Sequence, residues 1–199
     1  MDVMTAVLTR RSEHVLGQPA PTQEEFGYLL SAASRAPDHG ELRPWRWVLV
    51  GGEDRAEVGR ALAESSGKGA ESMRAKVERA PLLAGLVFCP QPHARIPEWE
   101  QLAAATAMTT SLMLLLHARG FGSIWRTGAH ADAAAMRRLL DAEGSERALG
   151  WLYIGTPDPR RKAMPRRQPV SLDGRLRVFR REPASHTIPS RRLATHDTE

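Results

Sequence analysis

The stretch Trp99-Glu100-Gln101-Leu102-Ala103-Ala104-Ala105-Thr106-Ala107-Met108-Thr109-Thr110-Ser111-Leu112-Met113-Leu114-Leu115-Leu116-His117-Ala118-Arg119, met at once by Gly120, decides how this chain can fold. Its Ala, Leu and Met content favours helix over strand, and the glycine stands where a left-handed residue closes a helix. Apolar positions occur on more faces than a surface helix of one small domain needs. The reading is a central, largely buried helix that also meets a second copy of the chain, giving a homodimer with a large, mainly apolar interface.

Outward from this helix, short apolar strands alternate with helices. Residues 82–89, Leu-Leu-Ala-Gly-Leu-Val-Phe-Cys, and 149–154, Leu-Gly-Trp-Leu-Tyr-Ile, read as buried strands. Residues 45–50, closed by Gly51-Gly52, and 123–126 read as two more strands. Helices are expected at 2–10, 23–35, 55–64, 71–79 and 132–140. Thr22-Gln23-Glu24-Glu25 matches a capping box, with Thr22 and Glu25 each satisfying an orphan backbone donor, and Ala36-Pro37 ends the helix that follows.

With 199 residues and 42% hydrophobic content, the chain suits one core of ordinary size. Residues 1–157 read as a single domain. Residues 158–199 form an arginine- and proline-rich extension expected to wrap a partner subunit or to stay without a packed core. A single cysteine, Cys89, excludes an intramolecular disulfide framework and fits a reducing compartment. The N-terminus lacks the pattern of a signal peptide and no apolar run approaches the length of a bilayer span, so a cytoplasmic protein without membrane association is expected.

The net charge of +5 could draw a polyanion. Much of the excess follows Pro157, in Arg160-Arg161-Lys162, Arg166-Arg167, Arg175, Arg177, Arg180-Arg181 and Arg191-Arg192, with few aromatics to stack on bases. A solvated face is favoured over nucleic-acid binding. The seven histidines show neither the spacing nor the cysteine partners of a zinc site. There is no Gly-x-Ser-x-Gly elbow and no Gly-x-x-x-x-Gly-Lys phosphate loop. Gly120-Phe121-Gly122 follows a helix instead of a strand and has Trp125 where a third glycine belongs, so a Rossmann fingerprint fails.

Three clusters remain. Arg10-Arg11-Ser12 places two guanidinium forks and a hydroxyl together, as an anion clamp requires; a helix C-terminus also attracts paired arginines through its macrodipole alone. Arg35-Ala36-Pro37-Asp38-His39, with Arg43-Pro44-Trp45 beyond it, is a proline-stiffened loop that either presents preset polar groups or is an ordinary helix stop. Gly122-Ser123-Ile124-Trp125-Arg126-Thr127-Gly128 offers glycines for close approach to a planar ligand and a fixed charge at Arg126.

These three clusters, together with Pro97-Glu98-Trp99-Glu100-Gln101 and Gly155-Thr156-Pro157, occur in the order and register of the nitroreductase family, which the chain resembles from residue 1 to about Pro157, in particular its small bacterial branch. The resemblance implies an α+β fold, a central mixed but mainly antiparallel sheet flanked by helices, and an interlocked homodimer with two FMN sites at its interface. It further implies ping-pong hydride transfer from NADH or NADPH, through flavin N5, to a nitroaromatic, a quinone or a related small acceptor. By matching position, Arg10, Arg11, Ser12, Trp125, Arg126 and Thr127 bind FMN, and Arg35 and His39 reach the flavin held mainly by the other subunit. No side chain need act as acid or base, because the cofactor carries the chemistry; no metal is implied. Two features depart from the family pattern: Glu13-His14-Val15-Leu16 lacks a further basic residue after Ser12, and the extension beyond Arg160 is long. The competing functions are a flavin-binding sensor or reservoir without turnover and a basic nucleic-acid-binding protein.

Overall fold

A computed structural model describes residues 1–160, 168 and 170–179. The chain divides into two units, Met1–Arg161 and Lys162–Glu199. The first carries α1 (Val3–Thr9), β1 (Leu16–Gly17), α2 (Gln23–Ala33), β2 (Trp45–Gly51), α3 (Arg55–Ser66), α4 (Ala70–Val77), β3 (Leu82–Phe88), α5 (Glu98–Ala118), β4 (Gly122–Arg126), α6 (Ala134–Leu139) and β5 (Arg147–Pro157). In the second, the described residues include a turn in which the Leu172 carbonyl accepts from the amides of Arg175 and Leu176. Of the basic pairs in the extension, 166–167, 180–181 and 191–192 lie outside the described residues, as do 161 and 162.

The fold class is the expected one. β3 and β5 form the middle of the sheet, β2 pairs with β3, and β4 and β1 pair with β5, all antiparallel. Among the described residues the one parallel contact is an isolated bridge from Ser12 to Ser123. Successive side chains on a strand point to opposite faces. Leu83, Val87, Trp151 and Tyr153 therefore pack with Val58 and Val77 of α3 and α4 and Met136 of α6. Ala84, Leu86, Leu152 and Ile154 pack on the other side with Phe26 and Leu29 of α2 and Met108, Leu112 and Leu116 of α5. A strand covered on both faces has no need for polar alternation, which is why β3 reads as an unbroken apolar run even in an antiparallel sheet.

α5 begins one residue earlier and ends one residue earlier than expected, and its last turn is a Schellman motif: Gly120 (φ 89°) donates to His117 O at 3.0 Å and Phe121 donates to Leu116 O at 2.9 Å. By length and composition it is apolar enough to cross a membrane, contrary to the reading of the bare sequence. Its Ala105, Met108, Leu112 and Leu116 are instead buried against the sheet. One further local reading is corrected, and one strand is new. Thr22 Oγ1 does accept from the Glu25 amide at 3.1 Å, but the Glu25 carboxylate turns to Arg119 on α5, at 3.2 Å, instead of closing the capping box. The short strand β1 has no sequence signature; two residues pair with β5 only because β5 runs past the rest of the sheet to Pro157.

Candidate functional site

The Schellman turn at Gly120 hands the chain directly from α5 to β4, and this fixes where the third sequence cluster lies. Before it, α1 ends because Arg10 leaves helical geometry (ψ 133°) while its amide still donates to Ala6 O. The segment after α1 runs beside the start of β4, with Ser12 bridged to Ser123 and the Glu13 amide donating to Ser123 O at 3.1 Å. Two clusters more than a hundred residues apart are thereby joined by backbone pairing. Gly122 sits in this crossing, where a Cβ would come within 2.7 Å of Leu16 and 2.8 Å of Pro157. A cavity of about 180 Å³ opens here, walled by Arg10, Arg11, Glu13, His117 and Phe121.

The far end of β4 faces a second cavity, of about 170 Å³, walled by Lys76, Arg126, Thr127, His130, Trp151 and Tyr153. Trp125 is held by its indole N–H, which donates to Leu149 O at 3.1 Å. The Arg126 guanidinium lies over the Tyr153 ring, 5.1 Å from its centre, and its buried Nε has no hydrogen-bond partner among the described residues. Burial pushes the Tyr153 hydroxyl above its ordinary pKa, against the opposing pull of Arg126. Gly150 makes this end possible: it has φ 102°, and a Cβ there would collide with the Arg126 carbonyl oxygen. Gly122 and Ser123 line the first cavity and Arg126 the second, so two residues of β4, Ile124 and Trp125, lie between them.

These two cavities, each with cationic residues in its wall, belong to a chain whose residues 7–156 match the Nitroreductase family. The "Putative NAD(P)H nitroreductase YdjA" of Escherichia coli K12 is 34% identical over 163 residues, covering 79% of this chain and 89% of that protein. The chain belongs to the nitroreductase family, a family of oxidoreductases. A "Putative NAD(P)H nitroreductase" of Haemophilus influenzae is 32% identical, covering 78% and 89% of the two chains. Among solved structures, a nitroreductase-like family protein from Bacillus cereus superposes with a TM-score of 0.79 at 22% identity, covering 90% of this chain and 96% of that one. The FMN- and NADPH-dependent nitroreductase NfnB from a Sphigopyxis strain gives 0.68 at 21% identity, covering 90% and 99%. At these identities the two structures speak for the fold alone.

In this member of the nitroreductase family the remaining candidates lie apart from β4. Arg35 lies one residue past the C-cap of α2 and makes no side-chain hydrogen bond or ion pair among the described residues. His39 lies in a tight turn, with its Nδ1 2.8 Å from Glu100 Oε1 on α5. Neither residue lines either cavity. Lys76, like His130, Trp151 and Tyr153, is a wall residue that the sequence did not single out; it follows Met73 and precedes Val77, both buried, and only the docking of α4 decides that it faces the cavity. A third polar cluster supports the frame. Arg46 donates to the carbonyl of Leu140 at 2.8 Å and to the Glu146 carboxylate at 2.8 Å, which holds Glu146 down at about 2. Burial first, and Glu146 second, pushes the Cys89 thiol up to about 12. Among the described residues no three His, Cys, Asp or Glu side chains group as a metal site.

Proposed function

We propose that this chain is an FMN-dependent NAD(P)H oxidoreductase that passes hydride in ping-pong fashion to a nitroaromatic, a quinone or a related small acceptor, and that it works as a cytoplasmic homodimer. The observation that carries the reading is the pairing of Ser12 with Ser123, which sets the arginine pair at one end of β4 and Arg126 with Lys76 at the other. That arrangement fits a ligand with a phosphate at one end and a planar, electron-accepting ring at the other.

The chemistry of the donor set supports the reading. Arg10 and Arg11 offer guanidinium forks and Ser12 a hydroxyl, the groups that bind phosphate oxygens. Trp125 is fixed by its own hydrogen bond, Thr127 and Gly128 expose backbone beside the second cavity, and the partnerless Nε of Arg126 is a buried donor suited to a ligand acceptor. FMN would supply the two-electron hydride chemistry itself. The chain's residues bind its phosphate at Arg10, Arg11 and Ser12 and orient the ring at Trp125 and Thr127. Arg126 and Lys76 keep positive charge in a cavity with an apolar floor, where it stabilises charge gained by the ring.

Arg35 and His39, which line neither cavity, complete the site from a second copy of the chain. Support for the dimer comes from α1, whose Val3, Met4, Val7 and Leu8 are exposed, and from Trp99, 70% exposed at the start of α5. The lone, half-buried Cys89 supports a reducing compartment.

The purified protein should be yellow, and NADH or NADPH should bleach it under anaerobic conditions, with colour returning on addition of a quinone. Colour that neither nicotinamide bleaches would leave a flavin reservoir; colourless protein that takes up no FMN would refute the proposal.

A further inference from the structure

The contact between His39 and Glu100 joins a residue singled out for the flavin to one that has no assigned role. We infer that Glu100 is a positioning residue, which fixes the tautomer and direction of the His39 ring for the flavin held mainly by the second copy; the inference rests on the proposed function. An ionised carboxylate has no proton to give, so the His39 nitrogen 2.8 Å from Glu100 Oε1 must be the donor. The hydrogen on Nδ1 is thereby specified, and Nε2 of the neutral ring is left as an acceptor for an N–H or O–H of the bound ligand.

Both ends of the pair are held independently of it. The turn that carries His39 is closed by the Glu41 amide donating to Asp38 O at 3.1 Å and by the Arg43 amide donating to Asp38 Oδ2 at 2.8 Å. Gly40 within it has φ 73°, and a Cβ at that position would press to 2.8 Å on the Ile96 side chain. Glu100 stands in the first turn of α5 beside buried Gln101, whose amide accepts from the Gln91 N–H at 2.9 Å and donates to the carbonyls of Gln91 at 2.8 Å and Ile96 at 3.1 Å. Two fixed backbones leave little freedom to lose when the side chains meet, so an exposed pair that adds little to stability can still set an angle.

The test combines a spectroscopic readout that needs no flavin with a binding readout that does. In 15N-labelled full-length protein, with the His39 ring signals assigned by their loss in His39→Ala, the wild type should show the Nδ1–H tautomer at a pH where the ring is neutral. Glu100→Ala should give a mixture of tautomers, and Glu100→Gln, which keeps an acceptor in place, should shift the mixture back. FMN affinity, measured by fluorescence quenching on the same proteins, should fall about two- to tenfold in Glu100→Ala, less in Glu100→Gln, and no further when Glu100→Ala is added to His39→Ala. An unchanged tautomer in Glu100→Ala, or a loss of affinity that persists in the His39→Ala background, would overturn the inference. Should His39→Ala bind FMN as the wild type does while the tautomer behaves as expected, the pair would be real but its service to the flavin refuted. Wild-type protein that binds no FMN would instead bring down the proposed function.

Discussion

Around β4 the two cavities are set by the chain's own backbone, whereas the turn at 38–41 is secured to α5 and lines neither of them. The first region depends on main-chain pairing and on glycines that admit a close neighbour: Ser12 against Ser123, Gly122 under Leu16, Gly150 under Arg126. The second depends on side chains, with His39 on Glu100 and Asp38 on the Arg43 amide. A region made by main-chain pairing belongs to the fold and fails with it. A region made by exposed side chains can fail alone.

The contrast is broken most directly at Gly150. Gly150→Val adds a positive-φ penalty to a collision with the Arg126 carbonyl, so stability should drop by about 3 kcal/mol or more and FMN uptake should be lost with it, read by thermal unfolding and flavin titration. Glu100→Ala, by contrast, should cost at most about 1 kcal/mol of stability, the range for an exposed pair. Next in size, Arg10→Ala should weaken FMN binding by about 1.5–3 kcal/mol, and the loss should shrink as salt is raised, because it removes a charge from the phosphate end. Equal flavin affinity in that variant would return the arginine pair to a helix-end role.

Acid probes the frame behind the sheet-borne half. Glu146 titrates at about 2 in the folded chain against 4.5 when free, held down by Arg46. Its contribution to stability is therefore complete above pH 4.5 and is lost as the pH falls toward 2. The side chain is one-quarter exposed, so the loss is discounted to about 1–2 kcal/mol. Melting temperatures across that window should fall in the wild type and flatten in Arg46→Ala.

The smallest effect sharpens the comparison most. In a dimer mixed from one Arg10→Ala chain and one His39→Ala chain, cross-subunit completion puts both lesions in one site and leaves the other whole, so about half the activity should survive. Activity no higher than in either mutant homodimer would mean that each chain's His39 serves its own flavin.

Much of the fold was legible in single residues. Thr22, Pro37, Gly52 and Gly120 bound their elements through capping, steric restriction and permitted positive φ, all local effects that short sequence context carries. The site was legible only as fragments. Nothing near Lys76 marks it as a cavity residue, and nothing near Glu25 shows that its carboxylate prefers Arg119, ninety-four residues away, to its own helix cap. The sequence reads α5 as a core helix and not as a span, although its length and apolarity would pass for one; its packing under β3 and β5 places it in the core.

By itself, then, the sequence determined the helices and all but the shortest strand, the apolar strands that must be covered, and the identity of the cationic clusters, because propensity, turn chemistry and periodicity act over a few residues. Tertiary structure alone decided that Arg10, Arg11 and Ser12 lie along β4, that Lys76 shares a cavity with Arg126, and that His39 meets Glu100. Each of those follows from how whole elements dock, and docking is set by the summed burial of Leu83, Leu86, Leu112, Trp151 and their neighbours across the chain, which no local window contains.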